Sequence, residues 1–281
     1  MYWKKKNYKT TLVKQNDGVT WIEFDLLNDR SYPVRHAFST RLGGVSRGNT
    51  GSMNLRRCAY DSDENYRTNM HRFFDAAGLS FDNLVATHQT HTVNVHTVTQ
   101  EDVPTGSLFD RQFEDIDALV TNLKHVPLVC SFADCIPVFL YAADVDAIGM
   151  AHAGWRGCVG DIAGETVRRL VSEYGAKPEN ISACIGPGIC SDCYEVGCEV
   201  AERFRERLGE ERASLILKPG REGHFQLDLL AANREFLLLA GLHEDNIAIS
   251  DICTACNPDK LFSHRVLGPV RGGQIGVIEL I

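Results

Sequence analysis

Three short segments concentrate the side chains able to ligate a metal or serve as a nucleophile. Ala86-Thr87-His88-Gln89-Thr90-His91 ends an apolar run with two histidines. Phe132-Ala133-Asp134-Cys135-Ile136-Pro137 interrupts an apolar run with an acid and a thiol. Met150-Ala151-His152-Ala153-Gly154-Trp155-Arg156-Gly157 passes from a strand end through a glycine turn towards a helix. Imidazole and thiolate suit zinc or copper. Three protein ligands leave a fourth position open for water or substrate, which marks a catalytic site rather than a structural one. His91, Cys135 and His152 are therefore a candidate metal set. Two other readings stay open. Cys135 and His152 could be the nucleophile and base of a cysteine hydrolase. Alternatively, Cys135 fills the core and the histidines are satisfied residues at strand edges.

Around Gly154 and Gly157 the glycines let backbone amides face a ligand, a helix N-terminus attracts anions, and Arg156 adds a planar fork of donors. These features suit phosphate or carboxylate, although a tight turn whose arginine pairs with a surface acid reads equally plainly. Softer signals are the glycine turn Ser39-Thr40-Arg41-Leu42-Gly43-Gly44, the close backbone approach implied by Gly186-Pro187-Gly188, and the segments Phe262-Ser263-His264-Arg265 and Val270-Arg271-Gly272-Gly273.

Positioning these groups falls to short β-rich runs at Trp21–Phe24, Val34–Phe38, Leu84–Ala86, Val93–Val98, Ala118–Val120, Val126–Phe132, Val138–Tyr141 and Ala147–Ala151. Turn signals separate them, among them Pro104-Thr105-Gly106 and Asp144-Val145-Asp146, and the last two runs read as a hairpin. Val159, Ile162, Ala163, Val167, Leu170, Val171 and Tyr174 form one helical stripe that Gly175 can stop. Further helical periods cover about Glu64–Ala77, Val200–Leu208 and Leu227–Ala240. The pattern predicts one α/β domain spanning 1–281, with a mixed sheet covered by helices and residues 1–20 as a peripheral extension.

With 281 residues, 44% hydrophobic and 23% charged, usage is that of a globular protein. The net charge of −8 disfavours nucleic acid, the one dense basic run being Lys4-Lys5-Lys6. No apolar window is long enough to span a membrane and no signal peptide is evident, so a cytoplasmic protein is expected. Ten cysteines include two CxxC pairs, Cys190 with Cys193 and Cys253 with Cys256. Buried thiols are the first reading. A zinc site shared by all four of these cysteines is disfavoured, because 60 residues separate Cys193 from Cys253.

The strings THQTHTVNV, DALVTN, SFADCIPVFLY, GMAHAGWRGC, CIGPGICSDCYEVG, LDLLAANREFLLLAG and CTACNPDKLFSHR, in this order, resemble the YfiH/laccase-domain family from about His36 to Ile278. That family was once called multicopper polyphenol oxidase and is now described as purine nucleoside phosphorylase. The resemblance carries metal-ligand roles onto His91 of Gln89-Thr90-His91, Cys135 and His152, with zinc expected and copper as the alternative; it carries none onto His88. It implies a single α/β domain with mixed sheets between helices, akin in architecture to cysteine hydrolases and toxin deamidases. The implied activity is phosphorolysis of adenosine, inosine, guanosine and methylthioadenosine, with adenosine deamination as a second activity. On that basis Arg156, then Arg41 and Arg265, are expected to bind phosphate, and Asp134 either moves a proton or orients a ligand. Trp155 either stacks on the purine or is a structural indole. Purine nucleosides and phosphate are the expected partners, and a monomer is expected. The family often ends in a T-G-R string where this chain has Val270-Arg271-Gly272-Gly273, leaving Arg271 without a role, and Cys190 and Cys256 are not expected throughout the family. A laccase needs several linked coppers and so many clustered histidines, which ten scattered ones do not supply.

Overall fold

The computed structural model describes residues 3–4, 10–104 and 113–281. Lys5 and Lys6 of the basic run, and Thr105 and Gly106 of one turn signal, lie outside the described residues.

The hairpin expected from the sequence is the centre of the molecule. Ile136–Ala142 and Ala147–Ala153 pair antiparallel, with Val138 opposite Ala151 and His152 opposite Pro137. Both strands are buried along their whole length, so their side chains divide by parity between two cores. Val138, Leu140, Ala151 and Ala153 enter one core, shared with the helices Ile162–Tyr174, Cys198–Ile216 and Leu229–Leu239. Phe139, Tyr141, Ile148 and Met150 enter the other, where they meet Phe38, Phe132 and Ile278 of a second sheet. A third core closes the far face of that second sheet with the helix Asp63–Ala77, through Met70, Phe73 and Phe74 against Val129 and Val277. The result is a layered α/β domain: helix, sheet, sheet, helices.

The central hairpin belongs to a six-stranded sheet in the order Ile247–Ile249, Ile181–Ile185, Ile136–Ala142, Ala147–Ala153, Ala118–Thr121, Val95–Thr97. The facing sheet has seven strands, with Gln274–Leu280 between Val34–Ser39 and Leu128–Phe132. Both sheets mix parallel and antiparallel neighbours. Thr11–Asn16, inside the stretch read as a peripheral extension, is the edge strand of the seven-stranded sheet and pairs with Val19–Phe24.

One helical boundary departs from the periodic reading. The apolar stripe from Val159 to Tyr174 is not one helix. A five-residue turn of helix, Trp155–Val159, precedes Ile162–Tyr174, and the break falls at Gly160 and Asp161. Asp161 sits at φ 73 and its carboxylate accepts from the Gly164 N–H, so its side chain caps the second helix where the backbone turns. Hydrophobic periodicity does not register such a break, because apolar spacing continues across it.

Candidate metal or thiol site

The parity that sends Ile148 and Met150 between the two sheets sends His152 there too, at the open end of the hairpin. Its ring lies 5.5 Å from that of Phe132 across the sheet interface. Cys135 immediately precedes the partner strand. His91 comes from the turn after Val85–His88, held at φ 67. These three residues, far apart in the chain, place their ligating atoms within 4.8 Å of one another. His91 Nε2 is 3.8 Å from Cys135 Sγ, and the two imidazole rings are 4.9 Å apart and nearly perpendicular. Donors arranged tetrahedrally at ordinary zinc–nitrogen and zinc–sulfur lengths would lie about 3.5 Å apart. The residues therefore fit a single ion with one position left open. Gly154 makes the approach sterically feasible, since a Cβ there would lie 2.6 Å from His91 Cδ2 and 3.1 Å from Cys135 Sγ.

Asp117, at the start of Ala118–Thr121, organises the group and was not singled out from sequence. It is fully buried. One carboxylate oxygen accepts from His152 Nδ1 at 2.7 Å and from the His91 N–H at 3.1 Å. The other accepts from the N–H groups of Thr90 and Thr92 and from the Thr92 hydroxyl. An acceptor on Nδ1 places the proton there and turns the Nε2 lone pair towards the site, as in carboxylate–histidine–metal arrangements. The only trace in the sequence was an acid at the head of an apolar strand, in Asp117-Ala118-Leu119-Val120.

The electrostatics follow from this packing. Burial works against charge on Asp117, yet the bonds from His152 and Thr92 hold its carboxyl down at about 2. Burial also penalises the Cys135 thiolate, but His152 and His91 bring the thiol down to about 6. Burial opposes the His152 imidazolium, while Cys135 and Asp117 raise it to about 9. Without a metal the favoured state is thus a thiolate–imidazolium pair oriented by a carboxylate.

A cavity of about 400 Å³ opens beside Cys135 and His91. Arg156, Arg265, Arg271 and His264 line it, together with Trp155 and Tyr194. A smaller recess of about 220 Å³ reaches the same thiol from the side of Arg56, His88 and Gln89. A further cavity of about 580 Å³ lies past Arg56 against Tyr66 and Thr87, and His91, Cys135 and His152 do not line it. Aromatic faces seat the arginines of the 400 Å³ cavity: Arg156 lies 4.3 Å over Trp155 and Arg265 lies 5.0 Å over Tyr194. Arg203 also approaches Trp155, at 5.7 Å. Burial and the neighbouring Arg56 both push Arg271 below the usual guanidinium value, and its buried Nε has no hydrogen-bond partner among the described residues. Burial and Arg271 likewise lower His264. Crowded cations of this kind are relieved by an anion.

Of the residues expected to bind phosphate, Arg156 and Arg265 line this cavity and Arg41 does not. The Arg41 guanidinium donates to the Gly51 and Pro258 carbonyls and lies over Phe262, which ties two loops together. The phosphate role read onto Arg41 is therefore withdrawn. The helix after Gly154 has only five residues, too short for its N-terminus to carry the anion argument, which now rests on the side chains. His264 and Arg271 line the cavity in compensation, and Arg56 lines the adjoining recess of about 220 Å³ together with Arg271. They come from three separate segments with no shared spacing, so only the fold brings them together. Asp134 lines the cavity, but its oxygens accept from the Thr254 hydroxyl at 2.5 Å and the Arg265 N–H at 2.6 Å. These bonds tie Asp134 to the turn that carries His264 and Arg265 and to the loop that carries Cys253.

Residues 35–281 match the sequence family described as multi-copper polyphenol oxidoreductase laccase. The chain belongs to that family. Its laccase-domain relatives include a protein named purine nucleoside phosphorylase YlmD from Bacillus subtilis, 34% identical over 239 residues and covering 85% of each chain. Another, named adenosine deaminase RL5, from an unknown prokaryotic organism, is 36% identical over 236 residues, covering 83% of this chain and 88% of its own. The crystal structure of the Bacillus licheniformis hypothetical protein YfiH shares the laccase-domain fold with a TM-score of 0.87 at 29% identity, over 96% of this chain and 99% of that one. Among the described residues, no helix is long and apolar enough to cross a membrane.

Proposed function

We propose that this laccase-domain chain is a zinc-dependent purine nucleoside phosphorylase that cleaves adenosine, inosine, guanosine and methylthioadenosine, with adenosine deamination as a second activity. One observation carries the reading: a His–Cys–His donor set with an open position stands at the wall of an arginine-lined cavity of about 400 Å³. That volume falls within the usual range for small-molecule sites, about 300–1,000 Å³. Names borne by relatives, phosphorylase and adenosine deaminase, support the substrate class.

His91, Cys135 and His152 would hold the ion, which when bound supplies Lewis acidity beside the substrate. The chain's other residues do the rest. Arg271, with Arg56 and His264 beside it, holds phosphate and takes up its charge. Arg156 and Arg265 close the rim from their aromatic seats. Phosphate oxygen then attacks ribose C1′ as the bond from C1′ to the purine nitrogen breaks, and the proton carried by hydrogen phosphate passes to the released purine, leaving ribose 1-phosphate. Asp134 fixes the turn that carries His264 and Arg265.

The test is chromatography of purified, metal-quantified protein incubated with adenosine or inosine, with and without phosphate. Free base that appears only with phosphate supports the reading, and inosine formed from adenosine adds deamination. Absence of both from zinc-loaded protein would overturn it. Oxygen uptake with phenols that depends on copper would put the oxidase reading first.

Three variants probe the two halves of the site. Arg271→Ala is expected to raise the KM for phosphate about 10- to 100-fold, the scale of one or two charge-assisted hydrogen bonds, with a smaller effect on the KM for nucleoside. Equal changes in both would assign Arg271 to the fold. Arg156, exposed and seated on Trp155, is expected to show the same signature more weakly when replaced by alanine. Gly154→Ala should displace His91 and weaken zinc binding at least about tenfold, measured by competition with a chromogenic chelator, while the circular dichroism stays that of the wild type.

One further reading has a specific observation behind it. Cys135, His152 and Asp117 also have the order of nucleophile, base and orienting acid. Amidase activity in metal-free protein, abolished by zinc and by alkylation of Cys135, would favour this cysteine-hydrolase alternative.

A further inference from the structure

Sixty residues separate the two CxxC pairs in the chain, yet their four sulfurs lie within 4.8 Å of one another. The sheet explains the convergence. Ile181–Ile185 and Ile247–Ile249 are parallel neighbours, with Ile185 opposite Ile249, so both strands end at the same edge. Cys190 and Cys193 follow the first strand, and Cys253 and Cys256 follow the second. A bridge between Gly188 and Cys253 and the bond from the Thr254 N–H to the Gly188 carbonyl lock the two loops in register. The residues between are the helical crossover that parallel neighbours require.

We propose that Cys190, Cys193, Cys253 and Cys256 bind a second, structural zinc ion. Around a tetrahedral zinc with four thiolates at about 2.3 Å, the sulfurs lie about 3.8 Å apart. Here Cys193 and Cys256 are 3.5 Å apart and Cys190 and Cys256 are 4.0 Å apart. The ten cysteines of the chain are thiols rather than disulfides. The Cys190 N–H donates to Cys253 Sγ at 3.2 Å, the kind of bond that stabilises thiolate charge. All four donors come from protein, which leaves no open position and marks a structural site.

The ion would also steady the first site. The loop holding Cys190 donates the Ile189 N–H to the Asp134 carbonyl, and the loop holding Cys253 donates the Thr254 hydroxyl to the Asp134 carboxylate. Both loops therefore grip the residue next to Cys135.

The test is metal content and sulfur ligation in the full-length protein. Wild type should carry about two zinc ions per chain, His91→Ala about one, and Cys193→Ser/Cys256→Ser about one. X-ray absorption of the His91→Ala protein should give four sulfurs at about 2.3 Å. This variant leaves the four-cysteine cluster intact, so the result does not depend on whether the serine variant folds. If the first site takes no metal, wild type and His91→Ala will both hold one ion, and four-sulfur ligation still supports the proposal. A His91→Ala protein without zinc overturns it, as does zinc bound through fewer sulfurs or a native disulfide among the four.

Discussion

Replacing Cys135 by alanine is expected to abolish phosphorolysis and to remove the ion of the His–Cys–His set. The sulfur is the only thiolate in that set, and its loss leaves two imidazoles that are held by different elements and cannot close around an ion. A fall of at least about 10³-fold in kcat/KM, or about 4 kcal/mol of transition-state stabilisation, is anticipated. The fold should survive. Cys135 is half-buried just before the strand and packs only at the margin of one core, so alanine removes little more than the sulfur. Steady-state phosphorolysis with metal analysis on the same sample gives the answer. Wild-type turnover in Cys135→Ala would end both the metal reading and the thiol reading, because each needs this sulfur. Cys135→Ser separates the two: a hydroxyl is a poor zinc ligand but retains the shape of a nucleophile, so residual amidase activity without zinc would point to the hydrolase.

How much of this was written in the chain differs between its parts. The strands could be read because their apolar runs are short and bounded by turn residues, and the central hairpin appeared where Asp144 to Asp146 interrupts two such runs. The candidate donors His91, Cys135 and His152 stood out because each stands at the edge of a strand pattern, and the fold brings their ligating atoms within 4.8 Å. The cationic wall was only half legible. Arg156 and Arg265 sit next to glycine or histidine in segments that look built, but Arg41, two residues before Gly43, lies in such a segment too, and it spends its donors on the Gly51 and Pro258 carbonyls. An arginine's sequence neighbours do not say which way a long side chain turns.

The four-cysteine cluster failed on a different count. Ligand spacing within one CxxC pair is a local property, but joining two pairs depends on which strands become neighbours. A parallel pairing cannot be inferred from a gap of 60 residues. The same is true of Asp117. A carboxylate before an apolar strand reads as a turn residue until the turn bearing His91 folds over it. Buried acids are tolerated only when every lone pair is met, and here the meeting groups, Thr90, His91, Thr92 and His152, are the ones that shape the site.

Asp117→Asn therefore has the second-largest expected effect, although Asp117 touches neither substrate nor ion in this arrangement. The amide keeps the volume but replaces one acceptor oxygen with a donor. If that donor faces His152 Nδ1, it forces the other tautomer and turns a protonated Nε2 towards the site. If it faces the N–H groups of Thr90 and Thr92 and the Thr92 hydroxyl, the two N–H donors lose their acceptor. Either way the His91 turn and the His152 ring lose their common anchor. Zinc affinity at the first site should fall about 10- to 100-fold, and phosphorolysis at limiting zinc should fall with it. Excess zinc should restore part of the activity, which a simply misfolded protein would not allow. Asp117→Ala should behave worse and resist rescue, since it removes the acceptor altogether and leaves three part-buried N–H groups, those of Thr90, His91 and Thr92, without it. Zinc titration of both variants, followed by activity, decides the point. An Asp117→Asn protein with wild-type zinc affinity would show that His152 keeps its tautomer without the carboxylate.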